Sequence, residues 1–237
     1  MKIDLINTIQ SEFKNKPSFT KEELVNILTN FFKNEKTITW RIHDLKAKGI
    51  INHLQRGVYS LGGKKQYIPD VSEKAKAIYN TIIKELPYTN FCISETRWFN
   101  EFMQHQVFKT YLIIEVEKDA ATIIFNKLSA AGEKVFLNPD AQVFENYISS
   151  TENPVIIKSL ISESPIQEIE KIKIATLEKM LVDMICDTEI YTAQEGEINN
   201  IFKGAIEKYN INLKKMLRYA RRRNKANEIN TYYQAAI

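Results

Sequence analysis

The sequence predicts an α+β protein in two parts. Residues 1–69 form a domain of three helices and a β-hairpin. Residues 70–237 form an α/β domain with a small mixed sheet and a helical C-terminal end. Three observations predict this. The apolar spacing is helical from Ile3 to Leu45 and then breaks into two short strand-like runs on either side of Arg56-Gly57. From Ser72 to Lys173, short β-rich runs alternate with capped helical segments, the pattern of an α/β unit. The charge changes sign at Asp70: residues 1–69 carry 12 Lys and Arg against 6 Asp and Glu, residues 70–210 carry 14 against 22, and residues 211–237 carry 7 against 1. Such segregation marks parts with different partners.

The first domain reads as follows. Ile3, Ile6, Ile9 and Phe13 recur at helical spacing and predict a helix over 2–15, stopped by Pro17. Thr20-Lys21-Glu22-Glu23 has the form of a capping box, and Leu24, Ile27, Leu28 and Phe31 continue it as a second helix to Phe32. A third helix opens near Thr37, carries Ile38, Ile42 and Leu45 inward, and ends at Gly49, which can take the left-handed conformation after a helix. Ile50–Leu54 and Val58–Leu61 are the strands of a hairpin turning at Gln55-Arg56-Gly57 and ending at Gly62-Gly63-Lys64-Lys65. Three helices followed by a hairpin, with a short connection between the second and third helices, are the parts of a winged helix-turn-helix.

On the third helix Lys36, Trp40, His43 and Asp44 lie opposite the apolar face, with Thr39 and Arg41 on the flanks. A Trp turned away from the core calls for a partner. A major groove accepts such a helix, where an apolar ring can touch a thymine methyl and Arg or Lys can reach base edges or phosphates. The candidate DNA contacts are Lys36, Thr37, Thr39, Trp40, Arg41 and His43, with Arg56, Lys64 and Lys65 from the hairpin. Trp40 packed on the hairpin or on a neighbouring domain is the competing reading. Asp44 would repel phosphate, so it reads as a partner for Arg41 or Lys48, or as an acceptor from cytosine.

In the second domain Ser72 caps a helix to Leu86, Phe91–Ser94 is a strand, and Thr96–Gln104 a short helix. Tyr111–Val116 is the clearest strand; Asp119 opens a helix to Leu128; Lys134–Leu137 is a strand; a helix runs to Tyr147; Pro154–Lys158 is a further strand. From Thr176 the chain is helical, over Leu177–Asp187, Glu195–Tyr209, Asn212–Arg223 and a last piece to Tyr233. On the helix near 212–225, Leu213, Met216, Leu217 and Ala220 share one side, and Lys214, Lys215, Arg218, Arg221, Arg222 and Lys225 the other. That basic stripe fits a nucleic acid, an acidic partner or the acidic middle of this chain. A merely solvated face is the bland reading.

Composition narrows the function. With 44% hydrophobic and 26% charged residues, 7 Gly and 6 Pro, the chain has the balance of an ordinary globular protein. Two cysteines, Cys92 and Cys186, and three dispersed histidines make neither a disulfide framework nor a zinc site. No run approaches the roughly 20 apolar residues of a membrane span, and the opening MKIDLINTIQSEFKNK is interrupted by Asp4 and Glu12, unlike a secretory signal. A cytoplasmic protein is expected. The sequence lacks GxxxxGK[ST], GxGxxG and GxSxG, so no cofactor and no enzymatic activity are expected. Glu115 and Glu117, with Asp119 beside them, could serve a metal-dependent nucleic-acid enzyme, since alternate strand residues share a face. The stretch reads more simply as a half-exposed strand with Leu112, Ile114 and Val116 inward. Cys92 reads as a buried small hydrophobe rather than a nucleophile.

The run Lys36-Thr37-Ile38-Thr39-Trp40-Arg41-Ile42-His43-Asp44-Leu45-Lys46-Ala47-Lys48-Gly49-Ile50-Ile51, with Arg56-Gly57-Val58-Tyr59, resembles the winged-helix start of AbiEi-type antitoxins of bacterial abortive-infection systems. Ala175–Met184 resembles the segment opening that family's C-terminal helices, and Leu217–Arg222 fits its end. The resemblance implies a DNA-binding autoregulator with a C-terminal domain needed for antitoxicity, usually encoded beside a nucleotidyltransferase-like toxin. Expected partners are therefore a double-stranded DNA operator and such a toxin. A plain repressor without a toxin partner is the alternative.

Overall fold

The chain is mixed α and β, with two sheets and a helical C-terminal end. The computed structural model describes residues 2–14, 16, 18–47, 49–62 and 66–237. Pro17 as a helix stop, Lys48 as a partner of Asp44, Lys64 and Lys65 as DNA contacts, and the inward side chain of Ile3 lie outside what it describes. The chain divides into two units, Met1–Gln66 with Lys208–Asn210, and Tyr67–Glu207 with Ile211–Ile237.

The first unit runs α1 (Lys2–Phe13), β1 (Phe19–Thr20), α2 (Lys21–Thr29), α3 (Glu35–Ala47), β2 (Ile51–Gln55) and β3 (Val58–Leu61). The capping box forms: Thr20 Oγ1 accepts from the Glu23 amide at 3.1 Å, and Glu23 Oε2 from the Thr20 amide at 2.7 Å. Gly49 ends α3 at φ 66°. Gly57, at φ 76°, makes the hairpin turn, a conformation that costs other L-residues. The short strand β1, too brief to show a periodicity, pairs antiparallel with β3 and completes a three-stranded sheet in the order β1-β3-β2. Leu5, Ile9, Phe13, Leu24, Leu28, Ile38, Ile42, Leu45, Ile51 and Tyr59 close one core around Phe19, which stacks on Phe13 at 3.7 Å. Gly62 must be glycine for a steric reason. Its amide donates to the Ile50 carbonyl at 2.6 Å, and a Cβ there would lie 1.7 Å from the Gly49 oxygen.

The second unit contains α4 (Glu73–Glu85), β4 (Phe91–Glu95), β5 (Leu112–Val116), α5 (Lys118–Ala130), β6 (Val135–Leu137), α6 (Ala141–Val143), β7 (Val155–Ser159), β8 (Ile166–Ile169), β9 (Ile172–Ala175), α7 (Leu177–Cys186), α8 (Ile198–Lys208), α9 (Leu213–Arg222) and α10 (Ala226–Ala235). Its six strands form a mixed sheet in the order β6-β7-β5-β4-β9-β8. β6, β7 and β5 run parallel, β4 antiparallel to β5, and β9 parallel to β4. All five residues of β4 and of β5 are buried, because helices cover both faces: Tyr79 of α4 packs on Phe91 at 4.8 Å on one face, and α7 lies on the other. The half-exposed strand expected at Leu112–Val116 is therefore a fully buried one.

Several other expectations change. Thr96–Glu101 is a 3₁₀ turn, shorter than the helix expected to Gln104. The helix expected to Tyr147 is the three residues of α6 followed by a π-helical turn, Phe144–Ile148. The β8–β9 hairpin was not expected at all. Its turn residues Glu170 and Lys171 take φ 50° and 69° without a glycine to announce them. Cys92 is buried between the sheet and α7, and burial pushes its thiol pKa up; Cys186 is half-buried, pushed up to about 11 by the same cause. Among the described residues, no helix is long and apolar enough to cross a membrane.

Candidate nucleic-acid interface

The amphipathic split of α3 is complete. Ile38, Ile42 and Leu45 are buried, while Lys36, Thr37, Thr39, Trp40 and His43 are exposed, Trp40 by 59%. Asn34 organises the start of α3: its Oδ1 accepts from the Lys36 amide at 2.9 Å and its carbonyl from the Ile38 amide at 3.0 Å. Arg41 is half-buried. Its guanidinium lies over Trp40 at 5.0 Å and over Phe32 at 5.2 Å, and its Nη1 donates to Asp44 Oδ2 at 3.2 Å. Asp44 is thus a partner of Arg41. Arg41 buttresses Trp40 from below by a cation–π contact, so the indole stands out on a braced base. Arg56 is exposed at the hairpin tip, beside the Gly57 turn whose carbonyl accepts from the Lys21 amide at 2.7 Å. On this unit the fold brings Lys36, Thr37, Thr39, Trp40 and His43 onto one helix face.

The basic stripe of the second unit is real but differs in membership. Lys214, Arg218, Arg221 and Arg222 of α9 are exposed and Lys215 half-buried, while Met216, Tyr219 and Ala220 are buried. Lys225 does not belong to it. The chain leaves α9 through Asn224 at φ 55°, and Lys225 precedes α10, bound to Glu228 at 2.6 Å.

The inner side of α9 meets a buried ionic network that sequence reading missed. Lys179 of α7 is fully buried and donates through Nζ to Glu115 of β5 at 2.5 Å, to Tyr219 Oη at 3.1 Å and to Asp183 one turn along α7. Tyr219 Oη donates to Asp183 Oδ1 at 2.7 Å. Arg223 reaches Asp183 at 2.9 Å and Asp187 at 2.8 Å, and Lys158 of β7 closes on Asp187 at 2.5 Å. Three cations and three carboxylates thus balance across β5, β7, α7 and the end of α9. Burial lifts the Glu115 carboxyl above the usual range, with Lys179 offsetting part of that rise. For Lys179, burial acts downward, but the Asp183 and Glu115 carboxylates hold the ammonium well above its ordinary value. Asp187, also penalised by burial, is carried below the usual aspartate value by Lys158 and Arg223. A signal existed: Lys179 and Asp183 stand four apart around the apolar run Met180-Leu181-Val182, with Met184 and Ile185 following, where charges survive only when paired.

The network decides how Glu115 can act. Its carboxylate is spent on Lys179, whereas Glu117 lies beyond the end of β5, exposed at the start of α5. The two do not converge, and no group of three His, Cys, Asp or Glu among the described residues is placed to hold a metal ion.

The fold and these surfaces define an α+β protein with a helix-and-hairpin unit and a mixed-sheet unit. The chain belongs to a family of unknown function, DUF6577, whose model matches residues 37–237, from α3 to the end. No curated protein matches it.

Proposed function

We propose that the first unit is a winged helix-turn-helix and that the protein is a DNA-binding transcriptional regulator. One observation carries the reading: α3 buries a complete apolar face and presents Lys36, Thr37, Thr39, Trp40 and His43 together on the other, with an exposed indole braced by Arg41. In this reading α3 enters the major groove and the β2–β3 hairpin lies along the backbone as the wing, bringing Arg56 to phosphate. Trp40 supplies apolar contact to a base edge. Lys36, and Lys64 and Lys65 beyond the wing, supply positive charge. Arg41, engaged with Asp44, acts as a positioning residue for Trp40. The resemblance to AbiEi-type antitoxins supports one further step. The regulator would be the antitoxin of a nucleotidyltransferase-like toxin encoded nearby, with residues 1–69 binding the operator and residues 70–237 serving neutralisation.

Fluorescence anisotropy of the full chain on operator and scrambled duplexes, over a salt series, tests the DNA reading. About four phosphate contacts give log affinity against log salt a slope of roughly −4. Trp40→Ala removes a side chain that is mostly exposed, so the fold stays intact. It should lower operator affinity by about tenfold, toward the low end of the roughly 1–3 kcal/mol a base contact supplies, and scrambled-duplex affinity much less. Equal losses on both duplexes, or salt-independent binding, would sink the reading. Co-expression with the neighbouring gene product tests the antitoxin step: growth arrest relieved by this chain is the expected result.

A further inference from the structure

We propose that the outer face of α9 is a second phosphate-backbone site, one that engages duplex DNA from the C-terminal unit, and that Glu163 occupies it as an internal stand-in for phosphate. The choice of nucleic acid over an acidic protein rests on the reading of α3; the anion site itself does not.

The geometry is specific. α9 carries five cations and no acidic residue. From Lys214 to Arg222 they run about 12 Å along the helix, at 1.5 Å per residue. Arg218 and Arg222, one turn apart, converge on a single oxygen, Glu163 Oε2, at 3.8 and 3.2 Å. Arg222 Nε donates a hydrogen bond to it, while Arg218 Nε stands at ion-pair distance. A fork of two guanidiniums on one oxyanion is how proteins hold phosphate, since the planar donor sets match its oxygens. Glu163 is itself exposed, in the turn between β7 and β8 at φ 62°, outside any regular element, so a ligand can displace it. Lys214, Lys215 and Arg221 have no carboxylate partner among the described residues, and extend the site to either side of the fork.

The face is also pre-organised. The residue after Arg222 turns inward: Arg223 is tied to Asp183 and Asp187, and Tyr219, fully buried, donates to Asp183. The other acidic groups near α9 are engaged elsewhere, Glu178 with the Asn212 amide at 2.9 Å and Glu228 with Lys225. Among the described residues Glu163 is the carboxylate paired with the stripe, and the Arg222 hydrogen bond holds its carboxyl below the usual range.

The test uses full-length protein and a scrambled duplex of roughly two helical turns, in anisotropy titrations across a salt series. Arg218→Glu with Arg222→Glu should flatten the slope of log affinity on log salt by about two units. It should do so both in the native background and with Lys36→Glu and Arg56→Glu present. Glu163→Gln, which keeps the side chain's size, should tighten binding roughly two- to fivefold, the scale of a lost exposed ion pair, and do nothing once the two arginines are reversed. Unchanged thermal melts establish that all variants fold. An unchanged slope in the arginine variant, or a silent Glu163→Gln, overturns the proposal. So does a competitor polyglutamate, or a vesicle of anionic lipid, that binds as tightly as the duplex and shows the same dependence on Glu163. If the arginine variant weakens binding while the Lys36 and Arg56 changes do not, this site stands and the α3 reading fails; the reverse pattern sinks this site alone.

Discussion

Replacing Lys179 by Met isolates what the buried network contributes. Met fills nearly the same volume, so the loss is one of charge, with little cavity formation. The Lys179 ammonium lies 2.5 Å from Glu115, an attraction of about 7 kcal/mol at an effective dielectric near 20, most of which its desolvation offsets. Removing it leaves Glu115 and Asp183, both nearly inaccessible to water, facing each other without a cation between them. Breaking a buried pair from one side costs about 3–5 kcal/mol, a large share of the roughly 5–15 kcal/mol by which domains are stable. For a unit of this size that corresponds to a fall in Tm of roughly 6–20 °C. The pH dependence supplies a signature that a packing defect would not. Burial already raises the Glu115 carboxyl, and without Lys179 it rises further. A carboxyl with a raised folded value binds more protons folded than unfolded, so stability falls as pH rises from the unfolded to the folded value. The deficit of Lys179→Met should therefore shrink as pH is lowered from about 8 toward 5. Adding Glu115→Gln should recover part of the loss at neutral pH. Denaturant titration by circular dichroism measures both. A deficit under about 1 kcal/mol, or one independent of pH, would refute the view that Lys179 neutralises two buried carboxylates.

Gly62→Ala should destabilise the first unit by at least about 2 kcal/mol, the scale of steric strain at a constrained backbone position, because its Cβ would collide with the backbone of Gly49 and Ile50. Limited proteolysis within residues 1–66 that is unchanged from the native protein would contradict this. The lowered Asp187 carboxyl gives the opposite pH sign to Glu115. Its pairing with Lys158 and Arg223 contributes stability above the ordinary aspartate value near pH 4, lost as pH falls through the lowered folded value. Thermal melts should therefore hold or rise in mild acid and drop steeply below about pH 4, and Asp187→Asn, less stable at neutrality, should show a shallower drop.

The elements that could be read from the sequence are those whose signals are local. Thr20 with Glu23, and Ser72 before Glu73, mark helix starts by side chains that bond their own first turn, and both bonds form. Gly49 and Gly57 mark turns that need positive φ, and both have it. What escaped has its cause at a distance. β1 is a strand only because β3 lies beside Phe19 and Thr20. β8 and β9, with Gln167, Glu168 and Lys173 between isoleucines, are strands because β9 pairs in parallel with β4, more than seventy residues earlier.

The same distinction governs the surfaces. On α3 a helical wheel suffices, because one helix face makes the core and the other is left exposed. On α9 the wheel sets Arg222 on the outer side and leaves Arg223, about 100° further round, off it, but it cannot name what Arg223 meets. Arg222 remains outside with Glu163, while Arg223 turns in because Asp183 of α7 and Asp187 at its C-terminal cap, a turn apart, create a deficit of positive charge there. Asp183 in turn shares Lys179 with Glu115, a residue that the sequence reads as part of a half-exposed strand, with metal chemistry as the alternative. One buried lysine thus ties Glu115 and Asp183 into a single network and helps to fix the anionic seat of Arg223, and so sets which side of α9 faces outward.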